Sequence, residues 1–238
     1  MGVMNVEQAV FASSDRGRIK GYQVVARSAG IDRSMIQELC RWAPTQVPSD
    51  DPKDWTINYF PISSDAIAVT RTVLGGPEYS GRGGTQVVTL ILVLSDDQFM
   101  AYGCNPITVA NAAMAMGYLR LPLDPDSEVL TQAVLPSRPM VDLDIDDDLP
   151  DDDEKLLVQV TDLVKEMHRV AVVGFREPID AVRRIVPRLS VESRRQFSFT
   201  TGLTPTVRRP FQLHFLPSAD LTRQRTLDAQ DIVRIDAS

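Results

Sequence analysis

From Val87 to Leu94 the chain runs through eight residues of which only Thr89 is polar, and no other stretch is apolar for as long. A helix that crosses a bilayer needs about 20 such residues, so this run is too short to span one. It is also too uniform for a strand with one wet face, which would alternate apolar and polar positions. The run therefore predicts a central β-strand covered on both faces, and such a strand demands a layered fold.

The flanking sequence supplies the other layers. Thr56–Pro61 and Ala66–Leu74 read as further strands. Ile31–Trp42 reads as a helix with Ser34 and Gln37 at capping-box spacing, ended by Pro44 and Pro48. Asn105 and Pro106 open a second helix, Ile107–Met116, which is apolar or small on nearly all sides and is stopped by Gly117. Near the start, Ala9–Phe11 and Tyr22–Ala26 flank a turn containing Gly17 and Gly21, the pattern of a β-hairpin. That turn carries Arg16, Arg18 and Lys20, more positive charge than a hairpin requires.

Downstream, Leu121–Pro150 is rich in proline and acid and has little periodicity. The formal charge of −7 is distributed unevenly about it. Nine acids and no bases lie between residues 141 and 154, while residues 155–238 carry 14 Lys or Arg against 9 Asp or Glu. After this strap, Leu156, Val160, Leu163, Val164 and Met167 mark an amphipathic helix. Val170–Phe175 reads as a strand and Pro178–Val186 as a helix closed by Pro187. Arg195–Thr201 alternates, with Phe197 and Phe199 expected inward and Ser198 and Thr200 outward. Phe211–Leu216 alternates likewise and is expected to turn His214 outward. Ile232–Ile235 closes the set as a last strand. Strand–helix–strand order in this half allows a parallel pair. The fold class expected is α+β, with mixed sheets and packed helices, in two halves: residues 1–140, an acidic linker 141–153, and a smaller α/β domain 154–238.

Specific residues carry a resemblance. Gln8-Ala9, then Gly21-Tyr22, Ala26, Ser28 and Gly30 are similar to the opening motif of the bacterial GTPase-associated proteins, over Val6 to about Leu121. Ala181–Leu189, the pair Arg194-Arg195, and Phe197–Leu203 resemble the middle domain of the same proteins. The resemblance implies an accessory or adaptor role beside a GTPase in a bacterial conflict or signalling system. It brings no catalytic residues.

Candidate chemistry read from the residues themselves is sparse. Gly76 to Gly83, inside the loop Gly75–Gly84, follows the glycine spacing of a phosphate loop, but Arg82 replaces its Lys and Gly83 its Ser or Thr, and a strand rather than a helix follows. Cys40, Cys104, His168 and His214 lie too far apart in sequence for the close ligand pairs of structural zinc, and the acid strap lacks the glycine of a calcium loop. No metal and no cofactor is expected. Cys104 precedes a helix, a position that lowers a thiol pKa, and could pair with His168 or His214 as a nucleophile. An enzyme using Cys104 or the Gly75–Gly84 loop is therefore one alternative. Nine arginines and no lysine fall between Arg183 and Arg225, and Arg grips carboxylate or phosphate in a bidentate way. Aromatic residues are not interleaved with them, so nucleic-acid binding through the basic half is a weaker alternative than an acidic protein partner. Arg16, Arg18 and Lys20 and the pair Arg194-Arg195 each precede a strand beside a family-like motif. They are expected to face solvent as a recognition surface for an acidic partner such as a GTPase. Two isolated cysteines and an N-terminus without a basic-then-apolar segment suit a reduced, cytoplasmic setting.

Overall fold

The computed structural model describes residues 2–15, 20–47, 55–63, 65–77, 85–121, 129–137, 151–217 and 227–237. Within them the chain forms β1 (Val3–Ser14), β2 (Gly21–Arg27), α1 (Arg33–Trp42), β3 (Trp55–Pro61), β4 (Ala66–Pro77), β5 (Thr85–Ser95), α2 (Asp96–Met100), α3 (Pro106–Ala115) and β6 (Ala133–Pro136). It continues with α4 (Asp151–Lys165), β7 (Val170–Val173), α5 (Pro178–Ile185), a 3-10 turn (Val186–Arg188), α6 (Val191–Gln196), β8 (Phe199–Thr200), β9 (Leu213–Leu216) and β10 (Val233–Asp236).

All ten strands join one mixed sheet in the order β10-β7-β9-β8-β3-β4-β5-β1-β2, with β6 paired to the first residues of β1. The mixture of sheet and helices is the α+β class. β1, β2, β3, β4, β5 and β6 pair antiparallel; β7 pairs parallel with β9 and β10, and β8 with β9. The two blocks meet where β3 runs antiparallel to β8, at Asn58↔Thr200 and Tyr59↔Phe199. Strands from both sides of the acidic strap therefore share one hydrogen-bonded sheet.

β5 lies between β4 and β1, and every residue from Val87 to Leu94 is buried. Val88, Leu90, Leu92 and Leu94 face a core that α3, α4 and α5 cover and that runs unbroken into the second half through Tyr59, Phe199 and Phe215. Ile91 and Val93 face the opposite side, where Leu39 and Trp42 of α1 pack with Phe60 and Phe211. A smaller cluster of Ala171, Val173, Leu216, Leu227 and Ile232 backs the parallel block.

Helix ends follow local chemistry, with one difference from expectation. α1 starts at Arg33 because Asp32, not Ser34, caps it: its carboxylate accepts from the Met35 N–H at 2.8 Å, and the Ser34 hydroxyl donates to that carboxylate. An anionic acceptor at the positive end of a helix outcompetes a hydroxyl two residues further in. α3 begins as expected, with the Asn105 side chain accepting from Ile107 and Thr108 and Pro106 in the first turn.

The second half departs more. Arg195 and Gln196, expected at the start of a strand, instead end α6, which begins where Ser190 caps the Ser193 N–H. Only Phe199 and Thr200 remain extended and paired, and Ser198 and Thr200 are buried, not outward. His214 is likewise fully buried, since both faces of the parallel block are covered. β6 emerges from the stretch 121–150 that showed no periodicity; at four residues it is too short to leave one. Asp151–Asp153, the end of the expected linker 141–153, form the first turn of α4, and residues 141–150 lie outside the described residues.

Candidate functional site

The residues of the N-terminal motif converge on Glu7 in β1. Its carboxylate accepts from the Ser28 hydroxyl, from the Gln132 amide and from the Gly30 N–H at 3.1 Å. Burial pushes this carboxyl up, but the three hydrogen bonds outweigh it and leave its pKa below the ordinary value. A Cβ at Gly30 would fall against the Glu7 carboxylate, so any other residue there would have to push that carboxylate from its hydrogen bonds. Gln8 donates from its N–H to Ser28 Oγ and from its side chain to the Thr131 carbonyl. The Tyr22 hydroxyl accepts from the Val87 N–H at 3.0 Å, and Ala26 is buried in the core. These motif residues lock β1 to β2, β5 and the chain at 131–132.

The second motif forms a clasp between the halves. Arg194 donates to the carbonyls of Leu189 at 3.0 Å, Pro187 at 2.9 Å and Gly103 at 2.8 Å. Its own carbonyl accepts from the Tyr59 hydroxyl at 2.8 Å. Burial first, and the neighbouring Cys104 second, push that hydroxyl's pKa up, so Tyr59 stays a neutral donor. Arg195 pairs with Asp96, its Nε donating at 3.1 Å. The two arginines expected to face solvent are thus engaged within the chain, gripping the α2–α3 corner from α6. A periodic pattern tells where a residue sits but not which carbonyls are near, so the sequence held no sign of this.

A buried polar ladder crosses the same junction. The Asn58 amide donates to Thr70 Oγ1 at 3.1 Å and Thr72 Oγ1 at 3.2 Å, while its carbonyl accepts from Thr200 Oγ1 at 2.6 Å. Thr72 and Thr89 hydroxyls lie 3.0 Å apart, and Thr200 Oγ1 also accepts from the Leu203 N–H. Four strands, β8, β3, β4 and β5, are bonded through side chains as well as backbone. The signal was present in the sequence: Thr70 and Thr72 continue the same-face period of Ala66 and Ala68.

Cys104 is buried in a left-handed backbone conformation, with Sγ 3.2 Å from the Met100 sulfur. Burial pushes its thiol up, and Arg194 only partly draws it back, so the lowered pKa expected of a helix start is reversed. Cys104 packs on the α3 face of the sheet, whereas His214 packs by Phe211 and Leu203 on the α1 face, so they form no pair. His168 is exposed and 3.5 Å from Glu166. Cys40 is half-buried beside the α1 cluster, its thiol pushed up by burial. Among the described residues no group of His, Cys, Asp or Glu is placed to hold a metal ion. Of the glycine loop, Gly75–Pro77 end β4 and β5 begins at Thr85; residues 78–84 lie outside the described residues.

Lys20 is exposed just before β2, while Arg16 and Arg18 lie outside the described residues. The hairpin end of β1 lies beside the start of β5, and Asp96 follows the other end of β5. Lys20 and the Arg194–Arg195 clasp therefore lie towards opposite ends of β5, roughly 30 Å apart along that strand. A cavity of about 250 Å³ opens at the junction, walled by Trp55, Phe175, Phe215 and Pro217 and edged by Thr56 and Thr201. No described helix is long and apolar enough to cross a membrane.

Comparison with known families matches residues 5–129 to GTPase-associated protein 1, N-terminal domain type 2. No curated protein matches the chain.

Proposed function

The chain belongs to the GTPase-associated protein family through its N-terminal domain, and we propose that it is a non-enzymatic interaction module that works beside a GTPase. The observation that carries this reading is the use made of the motif residues. Ser28 and Gly30 bond to Glu7, Gln8 bonds to Ser28 and Thr131, and Tyr22 bonds to Val87, so these residues are used to tie strands together. Residues that build a rigid scaffold leave recognition to its loops. We assign recognition of an acidic partner to the charged hairpin turn, through Lys20 with Arg16 and Arg18, and a scaffold role to Arg194 and Arg195. A bacterial conflict or signalling system, and the cytoplasm, are the setting this reading implies.

The test is affinity capture with the full chain from lysate of its own host, supplemented with GDP or with a non-hydrolysable GTP analogue. Enrichment of a GTPase in one nucleotide state is the expected result. Absence of any GTPase under both conditions would overturn the reading. GTP turnover by the purified chain alone would favour an enzyme instead.

A further inference from the structure

The structure sorts the arginines of the basic half by what they already hold. Arg183 pairs with Asp180, Arg188 with Glu154, Arg195 with Asp96 and Arg234 with Asp236. Arg194 spends its donors on three carbonyls. Arg208 and Arg209 differ. They close a tight turn in which the Arg209 N–H donates to both the carbonyl and the hydroxyl of Thr206 at 3.2 Å. Val207 stands at its tip, 80% exposed, next to exposed Arg208. Among the described residues neither guanidinium has a hydrogen-bonded or ion-paired partner, and the Arg209 Nε is buried without one.

Arg169 adds its positive charge to that of Arg209 beside His214. Among the described residues Arg169 is held by long hydrogen bonds to the carbonyl of Phe211 at 3.4 Å and to Gln230 at 3.4 and 3.5 Å. The His214 ring stands edge-on to Phe211, fully buried, with Nε2 unpartnered among the described residues. Burial draws the Arg209 pKa down, the sign of a guanidinium that has lost water. A desolvated charge is costly until it meets a counter-charge. The fork of Arg suits a carboxylate, and the apolar tip suits the stem of a side chain on a folded partner.

We propose that the Thr206–Arg209 turn is a docking site for an acidic segment of a partner protein, with Arg208 and Arg209 gripping its carboxylates and Val207 making the apolar contact between them. This rests on the reading of the chain as an interaction module.

The experiment titrates the full chain into a fluorescein-labelled, N-acetylated hexaglutamate peptide, read by anisotropy. Arg208→Glu with Arg209→Glu should weaken binding about tenfold or more. Arg176→Glu, which reverses an exposed arginine at the far end of β7, should change it less than about twofold, the behaviour of a rim charge. Because charge reversal beside His214 can unsettle the fold, Arg208→Lys with Arg209→Lys is measured too. That pair keeps both charges and should still lose several-fold through its missing fork geometry. No binding by the wild-type chain, an equal loss in Arg176→Glu, or unaltered binding in the double Glu variant overturns the proposal. Displacement of the peptide by inorganic phosphate at lower concentration than by free glutamate would also overturn it, in favour of a phosphate site. Loss of peptide binding in the variant, alongside a wild-type chain that captures no GTPase, would leave the turn standing and remove the GTPase reading. GTPase capture by wild type and double Glu variant alike, with peptide binding unaltered, would do the reverse.

Discussion

Strands β1, β3, β4 and β5 run seven to twelve residues and pair antiparallel, whereas β7, β9 and β10 have four residues each and pair parallel. The long strands hold one another directly, through many backbone bonds and a ladder of Asn and Thr side chains. The short ones have few bonds to offer and depend on α4 and α5 packed over them. Strands of that length, in the slightly weaker parallel arrangement, do not stand alone. The difference teaches that stability in the second half is borrowed across the junction, from Asn58 and from the Arg194 clasp. Substitutions there bear on that comparison most directly.

Asn58→Ala should have the largest effect. It takes a donor from the hydroxyls of Thr70 and Thr72 and the acceptor from that of Thr200 in a buried site, and we expect a loss of about 3–4 kcal/mol, or about 10 °C in melting temperature. Both tryptophans, Trp42 and Trp55, lie in the first half, so their fluorescence and the far-UV circular dichroism report different regions. Coincident transitions by the two probes would show one cooperative unit; an earlier fall in dichroism would show the parallel block melting first. Arg194→Ala should follow at about 1–2 kcal/mol, read as a shift in urea midpoint, since its three carbonyl contacts are charge-assisted but only the one to Leu189 is part-buried. Arg194→Lys should recover little, because one ammonium cannot reach three divergent carbonyls.

A third effect is set by pH. Burial, chiefly, lowers the His214 pKa to about 3, below its ordinary value of 6.5. Above pH 6.5 both folded and unfolded states carry neutral imidazole, and the residue is indifferent. As pH falls from 6.5 towards 3 only the unfolded state takes the proton, so stability drops by up to about 1.4 kcal/mol per pH unit. At pH 5.5 the difference between wild type and His214→Asn should thus have narrowed by about 1 kcal/mol relative to pH 7.5. A gap that stays constant with pH would mean His214 can be charged in place. Smallest of all, Arg195→Ala should cost within about 1 kcal/mol, since Arg195 and Asp96 retain 37% and 27% side-chain exposure. A larger loss would move that ion pair into the same class as Arg194.

The two halves also differ in how legibly the sequence announced them. Long apolar or capped elements declared themselves: Val87–Leu94 as the covered central strand, Asn105-Pro106 as a helix start, Tyr22–Ala26 as the hairpin return. Short elements did not, because β6 and β8 are fixed by the partners they meet and not by their own periodicity. Polar residues misled most. Ser198, Thr200 and His214 looked outward under the rule that polar faces are wet, yet a sheet covered on both sides buries them. The arginines were visible as a cluster, but charge alone does not separate Arg194, spent on carbonyls, from Arg208 and Arg209, spent on nothing among the described residues.

The outer side of β3 bonds to β8, and Thr201 extends the contact: its N–H donates to the Ile57 carbonyl and its hydroxyl accepts from the Ile57 N–H. Those partners lie beyond residue 129, where the family match stops. A fragment confined to the matched region would leave that row of amides and carbonyls bare, a template that recruits strands from other molecules. In this chain β8 is the mooring line: it ties up the open side of β3 that the matched region by itself would leave adrift.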